Sequence, residues 1–163
     1  MKKPLTKAEK ILMKYDESLH KPDIIMLGKK LGFHSYDTDL FNAPLPNNID
    51  IDSYIRGMLV SGTYIDKGIM VEQSQTAEYK RFVAAYLLSQ YILDEYPNDY
   101  AKIVIDSQYD KEILSFCRDL LIPNKYFKYD LKEANIKKLS QIYTVPDFIM
   151  AQKVKVLRNG GKQ

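Results

Sequence analysis

The side chains that most often perform chemistry in proteins are scarce in this sequence. Histidine occurs twice, as His20 and His34, and cysteine once, as Cys117. Zinc sites draw mainly on closely spaced Cys and His ligands, and a cysteine nucleophile needs an adjacent base. None of these three residues lies near another in sequence. We therefore expect both histidines to be solvated or structural, and Cys117 to be a small core residue of a helix.

The stretch from Glu78 to Leu93 is the place where a catalytic motif would fall. Phe82 to Leu88 is apolar or aromatic throughout, which predicts a helix buried on nearly all sides. Its apolar run is well short of the roughly 20 residues that a membrane span needs. An H-E-x-x-H zinc peptidase binds metal through the two His of such a helix and uses the Glu as general base. Here the same frame reads Tyr86-Leu87-Leu88-Ser89-Gln90.

The residues around this frame resemble the peptidase helix of the ImmA/IrrE family of metallopeptidases, whose pattern is R-F-x-x-A-H-E-L-G-H-Y-x-L. The matching residues are Arg81, Phe82, Ala85, Leu88, Tyr91 and Leu93. A second family signature, E-x-x-A-N-x-F-A-x-x-L-L-x-P, is similar to the segment 110–123 through Phe116, Leu120, Leu121 and Pro123. The resemblance implies that Tyr86 and Gln90 stand at the two helical ligand positions. It also implies that Leu87 replaces the general base and that Asp110 stands at the position of the carboxylate ligand.

The resemblance implies an α+β fold with a zincin-like, minimal metallopeptidase scaffold. We expect a small three-stranded sheet, a buried central helix and a helical C-terminal part. The expected organisation is a degenerate zincin-like domain over residues 1–130, a C-terminal helical pair over 131–157 and a disordered tail over 158–163.

The degenerate frame predicts a pseudoenzyme without a catalytic residue, metal or cofactor. A phenol and an amide are poor zinc ligands beside Cys and His, and a leucine cannot act as a base. We expect Tyr86 and Gln90 to fill the space that a metal site would occupy. We also expect them to hydrogen-bond each other or Asp110, because buried polar groups generally find partners.

Local patterns predict the remaining elements. Thr6 and Glu9 form a capping box for a helix over Thr6 to Glu17, and a second helix begins with Pro22 at its first position and ends at Gly32. The other predicted elements are a strand over Phe33 to Asp37, a loop over Thr38 to Ser53, a hairpin of Arg56 to Val60 with Gly68 to Glu72, and helices over Asp110 to Leu121, Leu131 to Tyr143 and Pro146 to Leu157. Tyr100 to Ile105 remains ambiguous between strand and loop.

Composition favours a cytoplasmic globular protein. A single cysteine suits a reducing compartment, and the basic start from Met1 to Lys10 is not followed by the apolar run of a signal peptide. A net charge of +3 is too small to indicate nucleic-acid binding by itself.

The lead functional hypothesis follows from the family resemblance. Members of the ImmA/IrrE family often come from phages or mobile elements, and many inactivate a helix-turn-helix repressor by cutting it. A degenerate member would act as a non-catalytic antirepressor that blocks an Xre- or CI-like repressor by occupancy. Candidate contacts lie in the loop and in the C-terminal helices, at Asn42, Asn47, Asp50, Gln152, Lys153 and Lys155.

Two alternatives remain open. The protein could be a toxin or effector of a two-gene module, neutralised by a helix-turn-helix antitoxin. It could also bind DNA directly through Leu139 to Leu157, which has the rhythm of a helix-turn-helix, although Asp147 would then face the phosphates. We favour a packed helical pair over DNA binding for this segment.

Overall fold

The computed structural model describes residues 3–38, 57–61, 67–93, 102–103, 110–132 and 134–160. The chain has an α+β fold with one small sheet, against which α2 and α3 pack. The elements in chain order are α1 Lys7–Lys14, α2 Ile24–Lys30, β1 Phe33–Thr38, β2 Gly57–Ser61, β3 Lys67–Glu72, α3 Ala77–Ile92, β4 Lys102–Ile103, α4 Lys111–Leu121, α5 Asn124–Leu131, α6 Ile136–Tyr143 and α7 Asp147–Arg158.

In the described part of the chain the sheet has four strands, in the order β1-β3-β2-β4. β2 and β3 pair in antiparallel fashion, with Leu59 opposite Ile69, which confirms the predicted pairing of these two segments. β1 runs parallel to β3, with Phe33 opposite Lys67. The prediction of three strands is wrong by one, because Lys102–Ile103 adds a two-residue strand antiparallel to β2. A strand this short carries too little side-chain alternation to be recognised in the sequence.

The first two helices show both the strength and the limit of local signals. The capping box of α1 is confirmed: the Thr6 hydroxyl accepts the Glu9 N–H at 3.1 Å, and the Glu9 carboxylate accepts the Thr6 N–H at 3.2 Å. α2 is capped by Asp23, so the prediction that Pro22 occupies the first helical position is wrong. Gly32 follows α2 with φ of 94°, a left-handed conformation that suits glycine.

Helix α3 is the centre of the core, as the sequence predicts. Every residue from Phe82 to Ser89 is buried. α2 lies close to it at Gly28, where an added Cβ would lie 3.4 Å from Ile69 Cδ1 and 3.7 Å from Leu88 Cδ1. The Thr76 hydroxyl caps the start of α3 by accepting the Tyr79 N–H. No helix in the described part of the chain is both long enough and apolar enough to cross a membrane.

The C-terminal part contains three helices after α4, whereas the sequence predicts two. α5 ends at Leu131, the residue predicted to begin the next helix, and α6 begins only at Ile136. Phe127 is the single buried residue of α5, so the segment lacks the apolar periodicity that marks a helix. Arg158, predicted as the start of the tail, is the last residue of α7.

Helices α6 and α7 contribute to the same core as α3. The buried cluster that contains Phe82 and Leu88 also includes Leu139, Tyr143, Val145, Ile149, Met150 and Val154. Thr144, between α6 and α7, has φ of 50°, which a β-branched residue rarely adopts.

Candidate functional site

The positions that correspond to the peptidase frame lie inside the core. Tyr86 is 1% exposed and Leu87 is fully buried. The Tyr86 ring packs edge-on against Phe82, with centroids 6.1 Å apart. Leu87 therefore packs in the core. Its hydrocarbon side chain cannot act as a general base.

Tyr86 and Asp110 come together although 24 residues separate them. Tyr86 Oη accepts the Asp110 backbone N–H at 3.2 Å. The Asp110 side chain is engaged separately, because its Oδ1 accepts the Ile113 N–H at 3.0 Å and caps α4. The predicted hydrogen bond between Tyr86 and Asp110 is thus formed, through the backbone of Asp110 rather than its carboxylate.

Gln90 places a buried polar atom in the core. Its Oε1 accepts no hydrogen bond from the part of the chain that the structure describes. The expectation that Tyr86 and Gln90 bond each other or Asp110 is met by Tyr86, whose Oη accepts the Asp110 N–H. A buried acceptor without a partner costs about 1 to 3 kcal/mol of folding free energy. Gln90 is therefore a polar residue that the fold tolerates at a cost.

The described residues contain no group of three or more His, Cys, Asp or Glu side chains placed to hold a metal ion. Cys117 is fully buried, and this burial raises the pKa of its thiol well above the ordinary value. A reactive cysteine needs the opposite shift, toward the thiolate. Cys117 is a core residue, as the sequence predicts.

His20 belongs to a structural cluster. Its Nε2 lies 2.8 Å from Asp130 Oδ2, and the Tyr143 hydroxyl donates to the same oxygen at 2.6 Å. These bonds lower the pKa of the Asp130 carboxyl, the Tyr143 bond more than the His20 bond. Burial, together with the Asp130 bond, raises the pKa of the Tyr143 phenol. The cluster ties the segment before α2 to α5 and α6.

Arg81 joins three separate segments at the N-terminal end of α3. Its guanidinium donates to the carbonyl oxygens of Tyr143 at 2.5 Å, Pro22 at 2.9 Å and Leu121 at 3.3 Å. Tyr143 and Leu121 are the last residues of α6 and α4, where carbonyls lack helical partners and carry partial negative charge. Burial lowers the pKa of Arg81 to about 10, so the group stays charged at neutral pH.

A cleft of about 940 Å³ opens beside Arg81, between α2, β1 and α3. Its α3 wall is formed by Ala77, Lys80, Arg81 and Ala84, which share one face of the helix. Tyr86 lies about 200° around the helix from Ala84. The cleft is thus on the side of α3 opposite Tyr86. Sequence reasoning missed this cleft, because the pair Lys80-Arg81 indicates a cationic helix face but not the walls that α2 and β1 add.

The residues predicted to contact a partner differ in their exposure, and some lie outside the described part of the chain. Asn42, Asn47 and Asp50 lie outside the described residues. Lys155 is exposed, and Gln152 is half-buried, with its Oε1 accepting from Arg118 Nη1 at 2.9 Å.

Lys153 is not available as a surface contact, and this part of the prediction is wrong. The residue is 2% exposed. Its ammonium group donates to Asp119 Oδ1 at 3.1 Å and to Asn124 Oδ1 at 2.5 Å. Lys153 therefore links α7 to α4 and α5.

Comparison with models of known protein families, with curated proteins and with solved structures found no match.

Proposed function

We propose that this protein is a non-catalytic regulator of a phage or mobile element. In this proposal it has a zincin-like scaffold resembling that of the ImmA/IrrE family, and it binds a helix-turn-helix repressor and blocks it by occupancy. The proposal rests on the hydrogen bond that the Asp110 backbone N–H donates to Tyr86 Oη.

The arrangement of α3 and α4 supports a relation to the metallopeptidases. A zinc site of that type needs ligands from the central helix and from a following segment to converge. The corresponding residues do approach each other, since Tyr86 Oη lies 3.2 Å from the Asp110 nitrogen. The order of two helices, three strands and a buried helix also agrees with the scaffold that the resemblance implies.

The residue types at these positions support a role without catalysis. Tyr86 is used as an internal hydrogen-bond acceptor, Leu87 is core, and the Asp110 carboxylate caps a helix. Each group already serves the fold. Binding alone suffices for an antirepressor, provided that the protein prefers the free repressor over its DNA-bound form.

Helix α5 offers a surface suited to a protein partner. Tyr126 is 41% exposed and Tyr129 is 59% exposed. The ammonium groups of Lys125 and Lys128 lie 5.4 and 5.1 Å from the centroids of these two rings. Tyrosine is enriched in protein interfaces, because it buries a large area at little cost in conformational entropy.

The test begins with a pull-down from the native host, with bound proteins identified by mass spectrometry. The proposal expects a helix-turn-helix protein, and the purified chain should then release that protein from its operator in a gel-shift assay. Tyr129→Ala should weaken release, while Tyr36→Ala, at a tyrosine of similar exposure on β1, should not.

Two outcomes would contradict the proposal. One is a captured helix-turn-helix protein that stays on its operator at saturating concentrations of this chain. The other is growth arrest when the gene is expressed alone, relieved by the captured protein, which would favour the toxin alternative.

A further inference from the structure

The cleft between α2, β1 and α3 carries a surplus of positive charge. Four cationic side chains line it against two carboxylates, namely Lys21, Lys29, Lys80 and Arg81 against Asp23 and Asp37. Both carboxylates are engaged. Asp37 accepts from Lys80 Nζ at 3.1 Å, and Asp23 accepts the Met26 N–H at 3.0 Å as the cap of α2.

Two of the positive charges, on Lys21 and Arg81, are close enough to repel each other. Lys21 Nζ donates to the Thr144 hydroxyl at 2.8 Å, and Arg81 is anchored on three carbonyl oxygens. Among the described residues, neither Lys21 nor Arg81 lies within ion-pair distance of a carboxylate. Partial burial, and then the nearby Arg81 charge, lower the pKa of Lys21. A bound anion would offset the repulsion between Lys21 and Arg81, and it would favour the charged form of both side chains.

Thr144, the C-cap residue of α6, contributes to the same cleft. It lines the cleft and places its hydroxyl beside Lys21 while its backbone is in the left-handed region, with φ of 50°. Glycine or asparagine would occupy this position after a helix with less strain. Backbone strain of this kind gathers at ligand sites, where the surrounding structure maintains it.

Ser35, Ile25 and Tyr36 also line the cleft. The Ser35 hydroxyl oxygen itself is buried beneath the surface. Ile25 and Tyr36, which are 52% and 49% exposed, give the same cleft an apolar and aromatic surface.

We propose that this cleft binds a small organic oxyanion, a molecule with a carboxylate or phosphate group attached to an apolar or aromatic body. Lys21, Lys29 and Arg81 attract the oxyanion, and Ile25 and Tyr36 contact its body. The cleft volume lies within the range of about 300 to 1,000 Å³ that small-molecule sites occupy. The proposal does not depend on a repressor partner, since the site lies on the other side of α3 from Tyr86.

The test is a titration of the purified full chain, followed by the backbone amide signals in nuclear magnetic resonance spectra. Phenyl phosphate and phenylacetate present the two oxyanions on similar aromatic bodies, and benzyl alcohol is the neutral control. We expect saturable shifts at Ser35, Tyr36 and Ala77 with at least one anion and not with benzyl alcohol. The better anion identifies the head group.

Variants separate recognition from general charge attraction. Lys21→Met and Lys29→Met should each weaken binding about five-fold or more, the loss of one favourable charge contact. Lys137→Met removes the same charge from the exposed face of α6 and should leave the affinity unchanged. The proposal is overturned if neither anion binds below about 10 mM, a standard free energy near −3 kcal/mol. It is equally overturned if benzyl alcohol binds as well as the anions, or if Lys137→Met weakens binding as much as both cleft variants.

Discussion

Replacing Arg81 with methionine should destabilise the fold more than replacing most other charged residues of this protein. Methionine keeps much of the apolar stem but removes all three hydrogen bonds to the carbonyls of Pro22, Leu121 and Tyr143. Each buried carbonyl that loses its partner costs about 1 to 3 kcal/mol, so the three together give about 3 to 9 kcal/mol. Arg81 also borders the cleft, where water can reach part of the group. We therefore expect a loss of about 3 to 5 kcal/mol.

Urea denaturation followed by circular dichroism measures this loss. Lys80→Met is the matched control, because Lys80 precedes Arg81 on the same helix and forms a partly exposed ion pair with Asp37. It should cost less than about 1 kcal/mol. Arg81→Lys should recover less than half of the loss, because one ammonium group cannot reproduce the planar fork that reaches three carbonyls. A loss below about 1 kcal/mol for Arg81→Met, or equal losses for Arg81→Met and Lys80→Met, would refute the reasoning.

Three further changes test the core and its polar groups. Leu88→Ala, at a fully buried residue of α3, should cost about 2 to 5 kcal/mol in the same denaturation assay, and a loss under about 0.5 kcal/mol would contradict the burial of this face. Gln90→Met should be neutral or stabilising by up to about 1 kcal/mol, because it removes a buried acceptor that has no partner; a clear destabilisation would indicate that Oε1 is satisfied after all. Tyr143→Phe should cost about 1 kcal/mol at neutral pH by removing the bond to Asp130. Because that bond lowers the pKa of Asp130, its stabilisation is present above the ordinary carboxyl pKa of about 4 and disappears as the pH falls below it. Equal losses at neutral pH and at about pH 3 would contradict this assignment.

Local and periodic signals allowed the sequence to predict the core elements. The continuous apolar run of α3 predicts burial on all sides, and the Thr6 and Glu9 pair predicts a capped start for α1. These features depend on residues within one or two turns of each other. The pairing of β2 with β3 was predictable for the same reason, since the two strands are neighbours in sequence.

The role of Arg81 could not be predicted in this way. Its three carbonyl partners lie 40, 59 and 62 residues away in sequence, and backbone oxygens carry no residue-specific signal. The same holds for the cleft, whose walls come from α2, β1, α3 and the end of α6.

Lys153 is a different case, because the sequence did contain the needed signal. It stands four residues after Ile149 and three after Met150, both fully buried, and next to the buried Val154. This spacing places Lys153 on the apolar stripe of α7. The prediction placed Lys153 at the surface because its side chain is charged. In the structure the residue is buried, and its ammonium group bonds to Asp119 and Asn124.

The most direct test of the central proposal is the intact mass of the repressor during its release from DNA. The purified repressor, its operator and this protein are mixed with and without added zinc, and samples are taken for gel shift and for mass spectrometry. The proposal predicts that the DNA is released while the repressor keeps its full mass, with Tyr86→Phe and Gln90→Ala affecting stability more than release. A cleavage product that grows with time, and that Tyr86→Phe or Gln90→Ala abolishes, would contradict it.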